Sequence, residues 1–246
     1  MGQLDGKVAI ITGGGSGIGK GIAELYAAEG CSVVLAGRKA ERLEAAAEAI
    51  RAAGGIALAH PADVSQEDQV AELFAHALQA YGRLDIVVNS AGAFDGGWLE
   101  DIPLSGWQNV VNANLTGPFL CIREAFRIMK PAGGGRIINI GSISAQRSRE
   151  RSAPYAATKF GVWGLTQAAA LEGRDYGIAV SALHPGNTMV ERRARGQAEG
   201  RAADEEPMFD VEVIARTALL MVTLPPEANM LEAIVLPLEQ KYIGRG

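Results

Sequence analysis

Tyr155 and Lys159 stand four residues apart in Tyr155-Ala-Ala-Thr-Lys159. On a helix that spacing puts both side chains on one face. A free tyrosine holds its proton to about pH 10, and a neighbouring ammonium favours the phenolate. A tyrosine so assisted can protonate a carbonyl oxygen or take a proton from an alcohol. By itself the pair is a weak signal, because a half-buried ring beside a solvated amine has the same spacing. Three other segments give it weight.

The first is Thr12-Gly-Gly-Gly-Ser-Gly-Ile-Gly19, between an apolar run and a helical pattern. Glycines let backbone approach a pyrophosphate closely, and a helix N-terminus offers free N–H groups and partial positive charge. The spacing is T-G-x-x-x-G-x-G, carried by Gly13, Gly17 and Gly19 with Gly15, Ser16 and Ile18 between them. It is not the commoner G-x-G-x-x-G. The second is the end of the next apolar run, Gly37-Arg38. An acid there would bind the ribose 2′-hydroxyl of NAD, whereas a basic residue suits the 2′-phosphate of NADP. Gly37 takes the acid's place and Arg38 follows, so NADP(H) is expected, with NAD(H) a weaker alternative. The third comprises Asp63-Val64, placed to meet an adenine amino group or to cap a helix, and Asn89-Ser-Ala91-Gly92, whose small residues let the chain pass close to a ribose.

These residues need strands and helices to bring them together. Val- and Ile-rich runs predict strands over Lys7–Thr12, Ser32–Gly37, Ile56–His60, Asp85–Asn89, Arg136–Gly141, Ile178–His184 and Leu231–Leu236. Helical patterns fill the gaps at Ile18–Ala28, Ala40–Ala53, Gln66–Tyr81, Trp107–Met129, Pro154–Tyr176 and Val211–Val222. Alternation of this kind makes parallel βαβ units. The expectation is an α/β fold: one doubly wound, Rossmann-type domain over residues 1–246, with a seven-stranded, mainly parallel sheet and helices on both faces. Ligands of such sheets bind beyond the carboxyl ends of the strands. Thr12-Gly13, Asp63, Asn89, Ser142 and Pro185-Gly186 all fall at those ends.

Composition agrees. Of 246 residues, 48% are hydrophobic and 21% charged, enough for a large core, and a net charge of −5 gives no general attraction to nucleic acid. Cys31 and Cys121 lack metal-type spacing, as do His60, His76 and His184, so no metal site is expected. Neither a membrane span nor a secretory signal is visible. The expected location is cytoplasmic.

Taken together the motifs resemble the short-chain dehydrogenase/reductase family in its compact form. They are T-G-x-x-x-G-x-G, Asn89–Gly92, the asparagine of Asn114-Leu-Thr-Gly117, Gly141-Ser142, Tyr155-x-x-x-Lys159 and Pro185-Gly186, with Ser142 thirteen residues before Tyr155. The resemblance implies that Tyr155 is the general acid or base and that Lys159 assists it and bonds the nicotinamide ribose. It also implies that Ser142 donates to the substrate oxygen, that Asn114 anchors a water in a proton relay, and that Thr188 lies near the nicotinamide carboxamide. The implied activity is hydride transfer between nicotinamide and a ketone or secondary alcohol, led by a carbonyl or ketoacyl-type reductase. A polyol, sugar or hydroxy-acid dehydrogenase is the alternative, and a non-catalytic dinucleotide sensor the remote one. The family also implies a homodimer or homotetramer, although the chain lacks the usual glycine-rich end. Ala156, Ala157, Gly161, Gly164 and Ala168 could pack helices between subunits or within one.

Asn187–Asp210 is long, charged and poor in core residues, and is expected to be a substrate lid. Arg192, Arg193, Arg195 and Arg201, with Arg147, Arg149 and Arg151, could meet an anionic group, or be neutralised by Glu150, Glu191, Glu199, Asp204, Glu205 and Glu206. Phe94, Trp98, Met189 and Met208 are candidate apolar walls, and Ser144 could also line the site.

Overall fold

The computed structural model describes residues 2–200 and 206–242; Arg201, Asp204 and Glu205 lie outside them. Seven strands form the main sheet: β1 (Val8–Thr12), β2 (Ser32–Gly37), β3 (Ile56–Pro61), β4 (Ile86–Asn89), β5 (Gly135–Ile140), β6 (Ile178–Pro185) and β9 (Glu232–Val235). Their order is β3-β2-β1-β4-β5-β6-β9, and every pairing is parallel. The strand order turns back between β1 and β4, which opens a crevice at their carboxyl ends.

The apolar runs are continuous because each strand feeds two cores. Ala9 and Ile11 of β1 face one side and Ile10 the other; Val33 and Leu35 of β2 oppose Val34 and Ala36 in the same way. The first core is closed by α1 (Gly17–Ala28), α2 (Ala40–Ala52) and α8 (Val211–Thr223); the second by α3 (Glu67–Tyr81), α5 (Gly117–Ala132) and α6 (Ala153–Gly173). Tyr26 of α1 is wholly buried and donates to Ala218 O of α8 at 2.9 Å, so its hydroxyl keeps a partner inside the core. Gly54 (φ 90°) and Gly133 (φ 85°) stop α2 and α5 in the left-handed region, where a side chain would be strained.

Two expectations change. The segment expected to form one helix over Trp107–Met129 begins earlier, as α4 (Leu104–Val111), and passes through a π-turn, Asn112–Thr116, before α5. Periodicity does not reveal such a turn, because one extra residue shifts the pattern without breaking it. The expected lid is not a bare loop. It carries β7 (Thr188–Met189), α7 (Glu191–Ala198) and β8 (Phe209–Asp210), with β7 and β8 paired in parallel.

Candidate active site

Thr12 ends β1 with its side chain turned toward β4. Its Oγ1 accepts from Ser90 N at 3.0 Å and from Ala91 N at 3.1 Å, fixing the loop after β4 against the glycine-rich loop. Gly13 (φ 69°) lies so close that a Cβ there would sit 2.9 Å from Ala91 N, and a Cβ on Gly19 would meet Gly13 O at 2.6 Å. The backbone is thus packed as a cradle, with Gly17 opening α1. One anionic group already uses that N-terminus: Glu191 Oε2 accepts from Gly17 N at 2.9 Å, and its carboxylate lies 3.8 Å from Lys20. Glu191 therefore sits on the glycine loop rather than neutralising the arginine cluster. A pyrophosphate taking the same N–H would have to displace it.

Beside the cradle runs a cleft of about 250 Å³. It unites Gly13, Gly15, Ser16, Arg38, Asp63, Val64, Ala91 and Gly92 from the expected set. Asp63 does not cap α3 directly; its Oδ1 closes a turn on Ser65 N and Oγ, at 3.0 and 2.8 Å. The cleft also contains Lys39 and Arg42, which the sequence reading missed. Arg42 lies in the first turn of α2, four residues after Arg38, a spacing that could have flagged it. Arg38 and Arg42 are exposed and pair with no carboxylate among the described residues.

The strand ends are braced below this surface. Asn89 Nδ2 donates to Asn139 Oδ1 at 2.8 Å, and Asn139 Nδ2 to Thr166 Oγ1 at 2.9 Å, all of it buried. Asn139→Leu would leave the Asn89 amide without its acceptor. The expected loss of unfolding free energy is about 1–3 kcal/mol, read by urea denaturation.

The second cluster lies at the ends of β5 and β6. Tyr155 and Lys159 lie on α6, as expected; Tyr155 is half-buried and Lys159 is 7% exposed. Lys159 Nζ donates to Ile140 O at 2.7 Å and lies 5.5 Å from the Tyr155 ring centre. An ammonium carries three donors, and Ile140 takes one. The Phe94 ring lies 5.3 Å from the Tyr155 ring, tilted 59° to it, and is 69% exposed, an apolar surface beside the hydroxyl-bearing ring. Ser142 is extended and buried at the end of β5, and its Oγ accepts from Ser144 N at 3.1 Å. Asn114 occupies the π-turn, with both amide donors and one lone pair of its amide oxygen engaged. Oδ1 accepts from Ala93 N at 2.7 Å, while Nδ2 donates to Ala93 O at 2.9 Å and Thr158 Oγ1 at 3.3 Å. It clamps the loop after β4 to the Tyr155 helix. Gly92 presses against it, since a Cβ there would come 3.3 Å from Asn114 Oδ1.

Beyond β6, Gly186 N donates to Val235 O at 2.7 Å and Thr188 Oγ1 to Gly186 O at 3.1 Å, following Pro185 as the last residue of the strand. The C-terminal segment packs here within the chain: Gln240 Oε1 accepts from Asn187 N at 2.9 Å. Of the arginines near the site, Arg149 reaches Glu206 at 3.4 Å, in keeping with neutralisation. Arg151 (φ 57°) lies 4.3 Å over Trp98, and Arg147 lies 5.9 Å from the Tyr242 ring.

The sequence profile of the family described as short chain dehydrogenase matches residues 7–199. The chain belongs to that family. Among relatives of this short-chain dehydrogenase is a 3beta-hydroxysteroid dehydrogenase of Mediterraneibacter gnavus, 38% identical over 81% of this chain and 72% of that protein. Another is a D-beta-hydroxybutyrate dehydrogenase of Rhizobium meliloti, 36% identical over 83% and 81%. Among solved structures, a short-chain type dehydrogenase/reductase from Mycobacterium ulcerans superposes with a TM-score of 0.89 at 27% identity, covering 95% of this chain and 90% of that one. An actinorhodin polyketide ketoreductase variant crystallised with NADPH superposes with a TM-score of 0.87 at 29% identity, over 96% and 98%. The protein is thus a dehydrogenase of the family acting on CH–OH groups, a family that uses NAD(P)H. Among its described residues no helix is long and apolar enough to cross a membrane.

Proposed function

We propose that this short-chain dehydrogenase moves hydride between NADP(H) and a ketone or secondary alcohol, as a carbonyl or ketoacyl-type reductase. One observation carries the reading: Arg38 and Arg42, without a carboxylate partner among the described residues, line the cleft past β2, and Ser142 and the Lys159 ammonium lie past the end of β5, on the same carboxyl edge of the parallel sheet. The glycine cradle fits a pyrophosphate and the two guanidinium groups fit a 2′-phosphate. When bound, the nicotinamide gives or takes the hydride.

The chain's own residues do the rest. In reduction, the Tyr155 hydroxyl gives its proton to the substrate oxygen; in oxidation it takes one back. Lys159, buried and with donors beyond the one on Ile140, holds the ribose and favours the anionic tyrosine left after proton transfer. Ser142 donates a second hydrogen bond to the same substrate oxygen, so a developing alkoxide meets two fixed donors. Asn114 holds the loop and the Tyr155 helix in register and anchors the relay that returns the proton. Thr188 meets the carboxamide side of the ring, and α7 with β7 and β8 covers the substrate. Phe94 and Trp98 suit an apolar or acyl substrate. A hydroxy-acid dehydrogenase is the second reading, favoured by Arg147 and Arg151, which lie near the site without a carboxylate partner among the described residues. A panel of ketones with NADPH and of alcohols with NADP separates the two. Turnover of aliphatic or acyl ketones supports the first reading, turnover confined to 3-oxo or 3-hydroxy acids supports the second, and no turnover of either class removes both.

The protein acts as a homodimer or homotetramer in this reading, in the cytoplasm, where its two buried free thiols stay reduced. The stripe on α6 divides. Gly161 packs inward on Leu115, whereas Gly164 faces open space and Ala168 lines a groove of about 380 Å³ between α5 and α6. Phe119, Phe160 and Leu171 are 46–63% exposed near it. Such an apolar face fits a second copy. Ala168→Arg should convert the oligomer to a monomer in light scattering. A native chain that is already monomeric would reject this part.

A further inference from the structure

A buried histidine stands behind Ser142. His184, in β6, is 0% exposed, and its ring lies edge-on to Trp163 at 5.8 Å. One ring nitrogen, Nδ1, faces two polar atoms of one residue: Ser142 N at 3.2 Å and Ser142 O at 3.0 Å. The other, Nε2, lies 3.4 Å from Glu232 Oε1 on β9. The approach is possible because residue 141 is glycine; a Cβ there would sit 2.3 Å from His184 Nδ1.

The tautomer decides what this contact does. With the proton on Nδ1, the ring donates to Ser142 O, and the bare Nε2 lone pair faces a carboxylate oxygen. With the proton on Nε2, Nδ1 accepts from Ser142 N–H, while Nε2 finds no hydrogen-bond partner among the described residues. In either tautomer Nδ1 bonds the Ser142 main chain. Burial holds His184 below the ordinary imidazole range, with Lys159 adding to it and the Ser142 carbonyl and Glu232 opposing. Glu232 also accepts from Gln146 Nε2 at 2.7 Å, and Gln146 Oε1 from the Tyr242 hydroxyl at 2.6 Å. Glu232 of β9 thus ties the Gln146 end of the short turn that begins at Ser142, while His184 of β6 holds its start. Within that turn Ser144 N–H occupies a lone pair of Ser142 Oγ and leaves the hydroxyl proton for the substrate side.

We propose that His184, through its Nδ1 contact, is a positioning residue that fixes the main chain of Ser142 and so aims its hydroxyl at the substrate oxygen. This rests on the role given to Ser142 above. His184 does not line the nucleotide cleft, so its effect should fall on turnover and not on cofactor binding.

Asparagine places an amide oxygen where Nδ1 lies, glutamine reaches the Nε2 side, and phenylalanine keeps shape without either nitrogen. With full-length protein and a ketone that the native enzyme reduces, His184→Phe should lower kcat about 10- to 100-fold, the scale of a small misplacement. The NADPH Kd, read by fluorescence titration, should stay unchanged. His184→Asn should recover kcat to within about threefold of native and His184→Gln should not, since only asparagine puts a polar atom at the Nδ1 position against the Ser142 main chain. Glu232→Ala, on an edge strand, gives a second route if the phenylalanine variant does not fold: a lower kcat at constant Kd. Ser142→Ala in the His184→Phe or Glu232→Ala background should add less than it costs in the native chain. Loss of kcat in Ser142→Ala alone, with Glu232→Ala and any folded His184→Phe as active as native, would overturn the positioning role. Equal rescue by glutamine and asparagine, or a matching loss of NADPH affinity, would overturn it too. Full activity in Ser142→Ala would instead remove the role of Ser142 on which it rests.

Discussion

Phenylalanine at position 155 is expected to lower turnover about 10³-fold, within the span that a positioned acid–base group contributes. The change removes one oxygen atom. Phe94 still has a ring to pack against, Lys159 still donates to Ile140 O, and the glycine cradle and the Arg38–Arg42 cleft are untouched. NADPH affinity should therefore stay within about threefold, the loss being confined to an interaction made during the chemical step. Ser142 still offers one donor to the substrate oxygen, so residual activity above solution chemistry is expected rather than none. Steady-state kinetics with NADPH and a ketone, alongside a fluorescence titration of NADPH, would read both quantities. A kcat within tenfold of native would show that proton transfer runs through another group.

The second large effect concerns the cofactor. Removing both guanidinium groups in Arg38→Ala/Arg42→Ala should lower kcat/KM with NADPH about 10²-fold and leave kcat/KM with NADH within about threefold, since a hydrogen bond to a charged group contributes about 1.5–3 kcal/mol. Both residues line the same cleft and Gly37 supplies no acid for a ribose hydroxyl, so their effect is confined to the 2′-phosphate. Because exposed charges are screened, the preference should also shrink with added salt. Parallel kinetics with the two cofactors at low and moderate ionic strength would measure it. Equal losses with NADH and NADPH would show that the arginines support the fold of the cleft instead of reading the phosphate.

Much of this architecture was legible in the chain. Buried parallel strands are continuous apolar runs, so the seven strands lie within a residue or two of where the Val- and Ile-rich segments put them. The candidate site residues fall at their carboxyl ends for the same topological reason. Less legible were features made by contact rather than by pattern. The π-turn that carries Asn114 leaves apolar periodicity nearly intact. Glu191 reads as one charge among many until α7 lays it on Gly17 N. Arg42 reads as the exposed face of a helix until the turn of α2 brings it beside Arg38. His184 carries no sequence mark of its relation to Ser142, because their contact crosses adjacent strands 42 residues apart. The small residues of α6 read alike, yet Gly161 faces Leu115 while Gly164 faces open space.

The most direct test of the central claim follows the hydride and the proton together. NADPH carrying deuterium at both positions of C4 of the nicotinamide would be supplied with a ketone, and the alcohol analysed by mass spectrometry for the native chain and for Tyr155→Phe. Deuterium is expected on the carbinol carbon with the native chain, and the same product formed about 10³-fold more slowly without the tyrosine hydroxyl. An unlabelled alcohol, or a labelled one formed equally fast by both proteins, would contradict the central claim.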